Sequence, residues 1–210
     1  MSSNVGRVRV KICGITRIED AIVAADAGAD AIGLVFYPPS PRAVDVGLAR
    51  ELCLALPAFV SRVGLFVNAV PGAVAKVLEQ VPLDTLQFHG DEAPEDCAAH
   101  GLPFIKSVGV REGVDIADVA QRYSAAAALL LDQYDRTRWG GTGERFDWQL
   151  VPGERPLPMI LAGGLDSENI SVALAQVRPY GVDVSGGVEA SRGIKDASRI
   201  QAFMRGVLSV

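Results

Sequence analysis

The sequence predicts an α/β protein folded as a single (β/α)8 TIM barrel with eight parallel strands, in one domain spanning residues 1–210. Short apolar runs alternate with segments of helical periodicity, and this alternation requires parallel strands joined by crossover helices. Hydrophobic residues make up 49% of the chain and aromatic residues only 6%, which suits buried strands covered by helices rich in small residues. No linker rich in Pro, Gly or Ser divides the chain. An open doubly wound sheet is the structural alternative.

Eight short apolar runs, each followed by a turn, predict the strands. In this architecture the chemistry lies on the loops that follow the carboxyl ends of the strands, so polar residues that end a strand are candidates for function. In chain order the predicted strands are Val8–Cys13, Ala31–Phe36, Arg62–Val67, Thr85–His89, Phe104–Val108, Ala128–Asp132, Met159–Ala162 and Val182–Ser185.

Seven segments between these runs have helical spacing. The segment Ile18–Ala27 places its apolar side chains mostly on one face, and Val46–Ala55 repeats Ala and Leu. Pro71–Gln80 begins with proline, whose missing N–H is tolerated at a helix start. The remaining predicted helices are Pro94–His100, Val114–Arg122, Ser167–Gln176 and Ala197–Leu208.

Charge and cysteine content narrow the classes of partner. The net charge is −5 and no tract of Lys and Arg is present, so nucleic acid and anionic membranes are poor candidate partners. No secretory signal is visible at the start, and the apolar runs are too short to cross a bilayer. The three cysteines cannot all pair and lack the CxxC spacing of zinc sites. We therefore expect free thiols in a cytoplasmic protein.

Cys13 and Asp132 each end a predicted strand, on the same face of the predicted barrel. Together they offer a thiol and a carboxyl group, the two kinds of group that proton transfer on opposite sides of a substrate requires. The alternatives are a small buried side chain for Cys13 and a capping or loop hydrogen bond for Asp132. Cys53 and Cys97 fall within helices and are expected to be structural.

Two glycine-rich turns follow the last two predicted strands. Gly163 and Gly164 lie in the first turn, and Ser185, Gly186 and Gly187 in the second. Glycines allow backbone N–H groups to converge on an oxyanion, and these two loops form the usual phosphate site of the fold. A single Gly-Gly is weak evidence, but two in these loops favour a phosphate site.

Other polar residues lie near the same predicted face. Arg42, in a proline-rich loop, is a candidate for binding a carboxylate, with a solvated loop side chain as the alternative. Gln87 is a candidate for binding substrate. It shares a strand face with His89, and the pair could line the barrel mouth, although a structural hydrogen bond is favoured for His89. Lys11, Gln87 and Asp183 are expected to form one interior polar network. The glycine-containing loop 135–146 is either a mobile lid or an ordinary surface loop.

In their order along the chain, these fragments resemble the phosphoribosylanthranilate isomerase family. The resemblance covers nearly the whole chain, although each motif alone is modest. The family usually has Ser-Ser-Gly after the strand-eight Asp, whereas this chain has Ser185-Gly186-Gly187, which loses one hydroxyl but keeps the backbone donors. The matching segments are Lys11–Thr16, Leu86–Gly90, Leu131-Asp132, Gly140–Gly143, Phe146–Trp148, Leu161–Leu165 with Asn169, Gly181–Ser185, Gly187–Glu189 and Gly193–Asp196.

The resemblance implies an Amadori rearrangement without a metal or redox cofactor. Asp132 is then the general acid and Cys13 the general base for a phosphorylated small-molecule substrate. It also implies that Arg42 pairs with the anthranilate carboxylate, that Asp183 orients the amino group, and that the two glycine loops hold the phosphate. A thiolate base needs a lowered pKa. Lys11 and the strand end are the candidate causes, and the sequence leaves this choice open.

Three other functions compete with this interpretation. A histidine-pathway aminoaldose isomerase would have Asp at the position of Cys13 and would need a second phosphate site. A pentose-phosphate epimerase would need metal-binding His residues, but the chain has only two histidines. A catalytically silent barrel would bind ligand without turnover. A monomer is the expected oligomeric state, with a homodimer as the alternative.

Overall fold

The computed structural model describes residues 7–133 and 146–209, and its core is a closed barrel of eight parallel strands. Each strand pairs with its neighbours along the chain, and β8 pairs with β1 to close the barrel. The predicted fold class and all eight predicted strands are confirmed, with ends that differ by at most two residues. The strands are β1 Arg9–Cys13, β2 Ala31–Val35, β3 Ser61–Phe66, β4 Thr85–Phe88, β5 Phe104–Val110, β6 Ala128–Gln133, β7 Met159–Leu161 and β8 Gly181–Val184.

The seven predicted helices are also present, and local side-chain hydrogen bonds explain where two of them start. α5 begins at Ile116 because Asp115 accepts hydrogen bonds from the N–H groups of Ala117 and Asp118. α6 begins three residues later than predicted, because Asp166 and Asn169 fold the preceding residues into a turn. The helices are α1 Ile18–Asp26, α2 Val46–Ala55, α3 Pro71–Leu78, α4 Pro94–Ala98, α5 Ile116–Arg122, α6 Ile170–Val177 and α7 Ala197–Leu208.

A small hairpin after β8 was not predicted. A 3-10 turn over Gly186–Val188 leads into β9, Glu189–Ser191, which pairs antiparallel with β10, Ile194–Lys195. The N–H of Asp196 donates to the carbonyl of Val188 and fixes the base of the hairpin. Such short strands leave no periodicity to detect, so the sequence indicated only a glycine-rich turn.

The connection between β6 and β7 is only partly described. It contains a 3-10 turn over Trp148–Leu150, capped by Asp147, whose carboxylate accepts from the N–H of Gln149. Residues 135–145 of the loop predicted to be either a lid or an ordinary surface loop, with its glycine motif, lie outside the described residues. No helix in the described ranges is long and apolar enough to cross a membrane.

Successive side chains along each strand point alternately towards the helices and into the barrel, and so contribute to two apolar regions. Those facing the helices join the main core, which includes Cys53 and Cys97, both fully buried as expected for structural thiols. Burial raises the pKa of both thiols to about 11. The side chains facing inward form two smaller groups that fill the barrel. One contains Ile105, Ala128, Leu130, Ile160 and Ala162, and the other Cys13, Val35, Leu65 and Val67 with Tyr37 packed against it.

Candidate active site

A cleft that is open to solvent lies at the carboxyl ends of β6, β7 and β8. All five residues predicted to bind phosphate line it, together with the predicted acid Asp132 and with Asp183. Closure of the barrel therefore gathers residues that are far apart in sequence at one opening. The lining residues are Asp132, Ala162, Gly163, Gly164, Leu165, Asp183, Val184, Ser185, Gly186 and Gly187.

The two glycine loops are in direct contact with each other. A Cβ atom on Gly187 would lie 2.0 Å from the carbonyl oxygen of Leu165, so only glycine permits this approach. Gly164 has a φ of +63°, and the side-chain amide of Asn169 donates to its carbonyl oxygen at 2.9 Å. The pair of loops therefore forms a fixed concave surface at which backbone N–H groups are available to an anion.

Asp132 lies at the mouth, and its two carboxylate oxygens contact two different hydrogen-bonding partners. Its Oδ1 accepts from the N–H of Gln133 at 2.8 Å, and its Oδ2 lies 3.3 Å from Nε2 of His89. Nδ1 of His89 lies 3.1 Å from the amide nitrogen of Gln87. Since an amide NH₂ only donates, Nδ1 accepts and Nε2 carries the proton that faces Asp132. His89 thus contacts Asp132 directly, in addition to making a structural bond of the kind that the sequence favoured.

Gln87 lies one layer below the mouth and is fully buried. Its amide nitrogen also donates to Oγ of Ser107 at 3.2 Å. The prediction of one network containing Lys11, Gln87 and Asp183 is therefore wrong for Gln87. The physical reason is its place on β4, which β2 and β3 separate from β1. Gln87 reaches the mouth through His89.

The Lys11–Asp183 part of that predicted network is confirmed. Nζ of Lys11 and Oδ1 of Asp183 are 2.9 Å apart on the neighbouring strands β1 and β8, and both side chains are about nine-tenths buried or more. Burial lowers the pKa of Lys11, but the charges of Asp183 and Cys13 outweigh it, and the net pKa is raised. A carboxylate at this depth needs such a partner.

Cys13 ends β1 with only 6% of its surface exposed. It packs against Val35, Leu65 and Val67 inside the barrel. This burial raises the pKa of its thiol, and the positive charge of Lys11 is the largest opposing influence. Cys13 and Asp132 lie at the same end of the barrel with β7 and β8 between them, as the sequence predicted.

Arg42 lies at the rim of the mouth and is held by a carboxylate of the protein. Its Nε and Nη2 atoms donate to the two oxygens of Glu189 at 2.7 and 2.8 Å. Lys195 also donates to Glu189 at 2.8 Å and to the carbonyl of Ser185 at 3.1 Å. The cluster of Arg42, Glu189 and Lys195 therefore joins the rim to the glycine loop after β8 and carries one net positive charge.

The charges within this cluster perturb one another. Burial favours the neutral form of Glu189, but the bonds from Arg42 and the charge of Lys195 outweigh it and lower the pKa of its carboxyl. Burial lowers the pKa of Lys195, and Glu189 opposes that effect. The hydrogen bonds to Glu189 raise the pKa of Arg42. Glu189 is thus ionised and shared by two cations.

Sequence reasoning assigned no role to Glu189 or Lys195, although both fall in matching segments of the family resemblance. The available signal was the presence of two charged residues in the glycine-rich stretch after the last strand. Within residues 7–133 and 146–209, no group of three or more His, Cys, Asp and Glu side chains is placed to hold a metal ion.

Comparison with known proteins gives one consistent result. A family model described as N-(5'-phosphoribosyl)anthranilate (PRA) isomerase matches residues 10–206. The chain is 60% identical over 200 residues to the N-(5'-phosphoribosyl)anthranilate isomerase of Azotobacter vinelandii, with 95% of this chain and 97% of that protein covered.

Two solved structures have the same fold over almost the entire chain. One is a phosphoribosylanthranilate isomerase in complex with reduced 1-(o-carboxyphenylamino)-1-deoxyribulose 5-phosphate, with a TM-score of 0.85, 40% identity and coverage of 97% of this chain and 100% of the other. The second consists of monomers generated from the dimeric enzyme of Thermotoga maritima, with a TM-score of 0.86, 39% identity and coverage of 97% and 100%.

Proposed function

This chain belongs to the N-(5'-phosphoribosyl)anthranilate isomerase family, and from that premise we propose how its own residues carry out the reaction. The enzyme is an isomerase of tryptophan biosynthesis. It converts N-(5-phospho-β-D-ribosyl)anthranilate into 1-(2-carboxyphenylamino)-1-deoxy-D-ribulose 5-phosphate by an Amadori rearrangement. The roles of individual residues are the substance of the proposal.

The observation that supports these roles best is the single cleft shared by Asp132, Asp183 and both glycine loops, with Cys13 on the strand next to β8. A phosphate held between the loops of β7 and β8 would place the attached ribose above the centre of the barrel. The acid on β6 and the base on β1 would then lie on opposite sides of the sugar. Two groups on opposite sides are what proton removal and proton delivery require.

The phosphate is held by the backbone N–H groups of Gly163, Gly164 and the 185–187 loop. The net positive charge of the cluster around Glu189 adds a favourable field beside Ser185. Arg42 binds the anthranilate carboxylate through the part of its guanidinium that faces away from Glu189. Asp183 uses its second oxygen to orient the anthranilate amino group. Together these contacts fix both ends of the substrate relative to the acid and base.

Chemistry begins when Asp132 donates a proton to the ribose ring oxygen, and the ring opens to a Schiff base between C1 and the anthranilate nitrogen. His89, which donates to Asp132, holds this acid in place, and Gln87 holds His89. The Cys13 thiolate then removes the proton from C2. The electrons shift towards nitrogen to give the enolamine, which tautomerises to the ketone. No proton is gained or lost overall.

An assay of the purified protein with freshly prepared substrate tests the activity. We expect loss of anthranilate-type fluorescence well above the spontaneous rate, unaffected by EDTA, with formation of the carboxyphenylamino-deoxyribulose phosphate. Activity only with the histidine-pathway aminoaldose would favour that rival isomerase. Binding of the product without any turnover would favour a silent binding barrel.

We also propose that residues 1–210 act as one catalytic domain, as a monomer in the cytoplasm. Three free buried thiols agree with a reducing compartment. A homodimer is the alternative, because the relative from Thermotoga maritima is described as dimeric. Light scattering at the concentration used in the assay distinguishes the two states, and a mass twice that of the 22.2 kDa chain would overturn the monomer.

A further inference from the structure

The buried environment of Cys13 raises a question that its proposed role as base does not answer. Burial raises the pKa of this thiol, whereas the base must be the thiolate. Some neighbouring group has to favour the charged form. Such a group should lie close to the sulfur, carry positive charge, and itself be held in place by further contacts.

Lys11 meets these requirements through its position on the barrel. It lies two residues before Cys13 on β1, so both side chains point into the barrel from the same face of the strand. The neighbouring residue on β2 is Gly33, paired in register with Cys13. A Cβ atom on Gly33 would lie 2.7 Å from the sulfur of Cys13 and 3.0 Å from Nζ of Lys11. The missing side chain of Gly33 leaves the space in which sulfur and ammonium approach each other.

Two other cations act on Cys13, more weakly than Lys11 does. Lys195 and Arg42 both influence the sulfur, but both donate to Glu189. The strand β3 presents only apolar side chains to the thiol. The titratable or charged groups that face Cys13 are Lys11 on β1, Tyr37 and Arg42 after β2, Asp183 on β8 and Lys195 on β10.

We propose that Lys11 is a positioning residue whose ammonium group, anchored by Asp183, stabilises the thiolate form of Cys13. This inference rests on the proposed role of Cys13 as the base. The inference also links proton removal by Cys13 to substrate binding, because Asp183 is the residue proposed to orient the anthranilate amino group. When the anthranilate amino group of the substrate hydrogen-bonds to Asp183, the carboxylate neutralises the charge of Lys11 less completely. The thiolate form of Cys13 is then favoured further.

The experiment measures alkylation of Cys13 by iodoacetamide as a function of pH, with mass spectrometry of the Cys13 peptide to separate it from Cys53 and Cys97. The midpoint of the pH profile is the readout, because the absolute rate also depends on the intrinsic nucleophilicity of the thiolate. For Lys11→Met we expect the midpoint to rise by about one pH unit or more, a roughly tenfold loss of thiolate below the midpoint. Lys11→Arg should restore much of the shift.

Lys106→Met is the matched control. Lys106 is another buried strand lysine paired with a carboxylate, at 2.8 Å from Glu92, but it lies on β5. The Lys106→Met variant should lose stability as Lys11→Met does, but should leave the midpoint of Cys13 alkylation unchanged. In addition, the acid limb of the pH dependence of kcat/KM should move with the alkylation midpoint in Lys11→Met, which a purely structural role would not produce.

Asp183→Asn is predicted to shift the Cys13 midpoint in the opposite direction, and it provides a test even if Lys11→Met fails to fold. Removing the carboxylate leaves the Lys11 charge uncompensated, so the Cys13 midpoint should fall. An unchanged or raised midpoint in Asp183→Asn, or an unchanged midpoint in folded Lys11→Met, would overturn the inference. Failure of the proposed base is a separate result, because it would appear as normal turnover in Cys13→Ala, whatever the alkylation profiles show.

Discussion

At the scale of single residues, the contact between Arg42 and Glu189 has the largest consequence that the sequence did not reveal. The guanidinium is only 12% exposed and the carboxylate 5%, and two parallel hydrogen bonds join them. A bidentate pair of this kind fixes the plane of the guanidinium as well as its position. Glu189 therefore fixes the direction of the remaining donors of Arg42, which we propose bind the anthranilate carboxylate.

Replacement of Glu189 by Gln should weaken substrate binding more than turnover. The variant keeps one acceptor but loses the charge that holds Arg42 and Lys195, so we expect KM to rise about tenfold or more and kcat to change by less. Breaking a buried pair should also cost about 3 kcal/mol of unfolding free energy. Steady-state kinetics and denaturant unfolding measure the two effects.

Glu92→Gln is the control for that prediction, because it breaks the buried pair with Lys106 away from the cleft. It should lose comparable stability and keep a normal KM. An equal rise of KM in both variants would mean that Glu189 acts only through stability.

What the sequence predicted at this scale depended on position along a strand. Cys13 and Asp132 were predictable because each ends a strand, and the strand ends of a barrel meet at one face. The Arg42–Glu189 pair joins residues 147 positions apart through a hairpin without detectable periodicity. His89 was placed on the correct face, but its contact with Asp132 depends on side-chain geometry that alternation along β4 does not specify.

At the scale of elements, the proposed phosphate site depends on the approach of the loops after β7 and β8. Gly187→Ala would place a Cβ atom 2.0 Å from the backbone oxygen of Leu165, so the loops must move apart. We expect the inhibition constant for inorganic phosphate and the KM for substrate to rise about tenfold, which corresponds to about 1.4 kcal/mol of binding free energy. Inhibition kinetics measure both constants.

Gly72→Ala is the matched control for the loop variant. Gly72 lies in α3, and a Cβ atom added there would have no neighbour within 4 Å, so the methyl group meets open space. It should leave both constants unchanged and stabilise the helix slightly. If Gly187→Ala also left both constants unchanged, contact between the two loops would not be needed for phosphate binding.

Most of the elements themselves were predictable, since strand and helix alternate clearly and seven helices occur where their periodicity indicated. The starts of α5 and α6 differ because local carboxylate and amide groups compete for the first N–H donors. The hairpin of β9 and β10 was missed because its strands are held by contacts with other elements. One such contact is the N–H of Lys195 donating to the Asp20 carboxylate at 3.0 Å.

At the scale of the whole molecule, burial of charge at the rim of the barrel makes stability depend on pH. The pKa of Glu189 is lowered in the folded state from its ordinary value of 4.5. A carboxyl group with a depressed folded pKa contributes stability above its unfolded pKa, and that contribution is lost as pH falls through the folded pKa.

The difference in unfolding free energy between wild type and Glu189→Gln should therefore be largest near neutral pH. It should shrink progressively as pH falls below 4.5. Denaturant unfolding of both proteins across the acid range measures this difference. A difference that is independent of pH would show that the Glu189 charge does not contribute to folding.

The proposed mechanism depends on the whole barrel, because its closure brings the Cys13 end of β1 and the Asp132 end of β6 to the same mouth. The turnover numbers of Cys13→Ala and of Asp132→Asn at saturating substrate test this most directly, with circular dichroism to confirm the fold. We predict that each variant loses about 10²- to 10⁴-fold in kcat and still binds product. A folded variant of either kind that turns over within about threefold of wild type would contradict the assignment of acid and base.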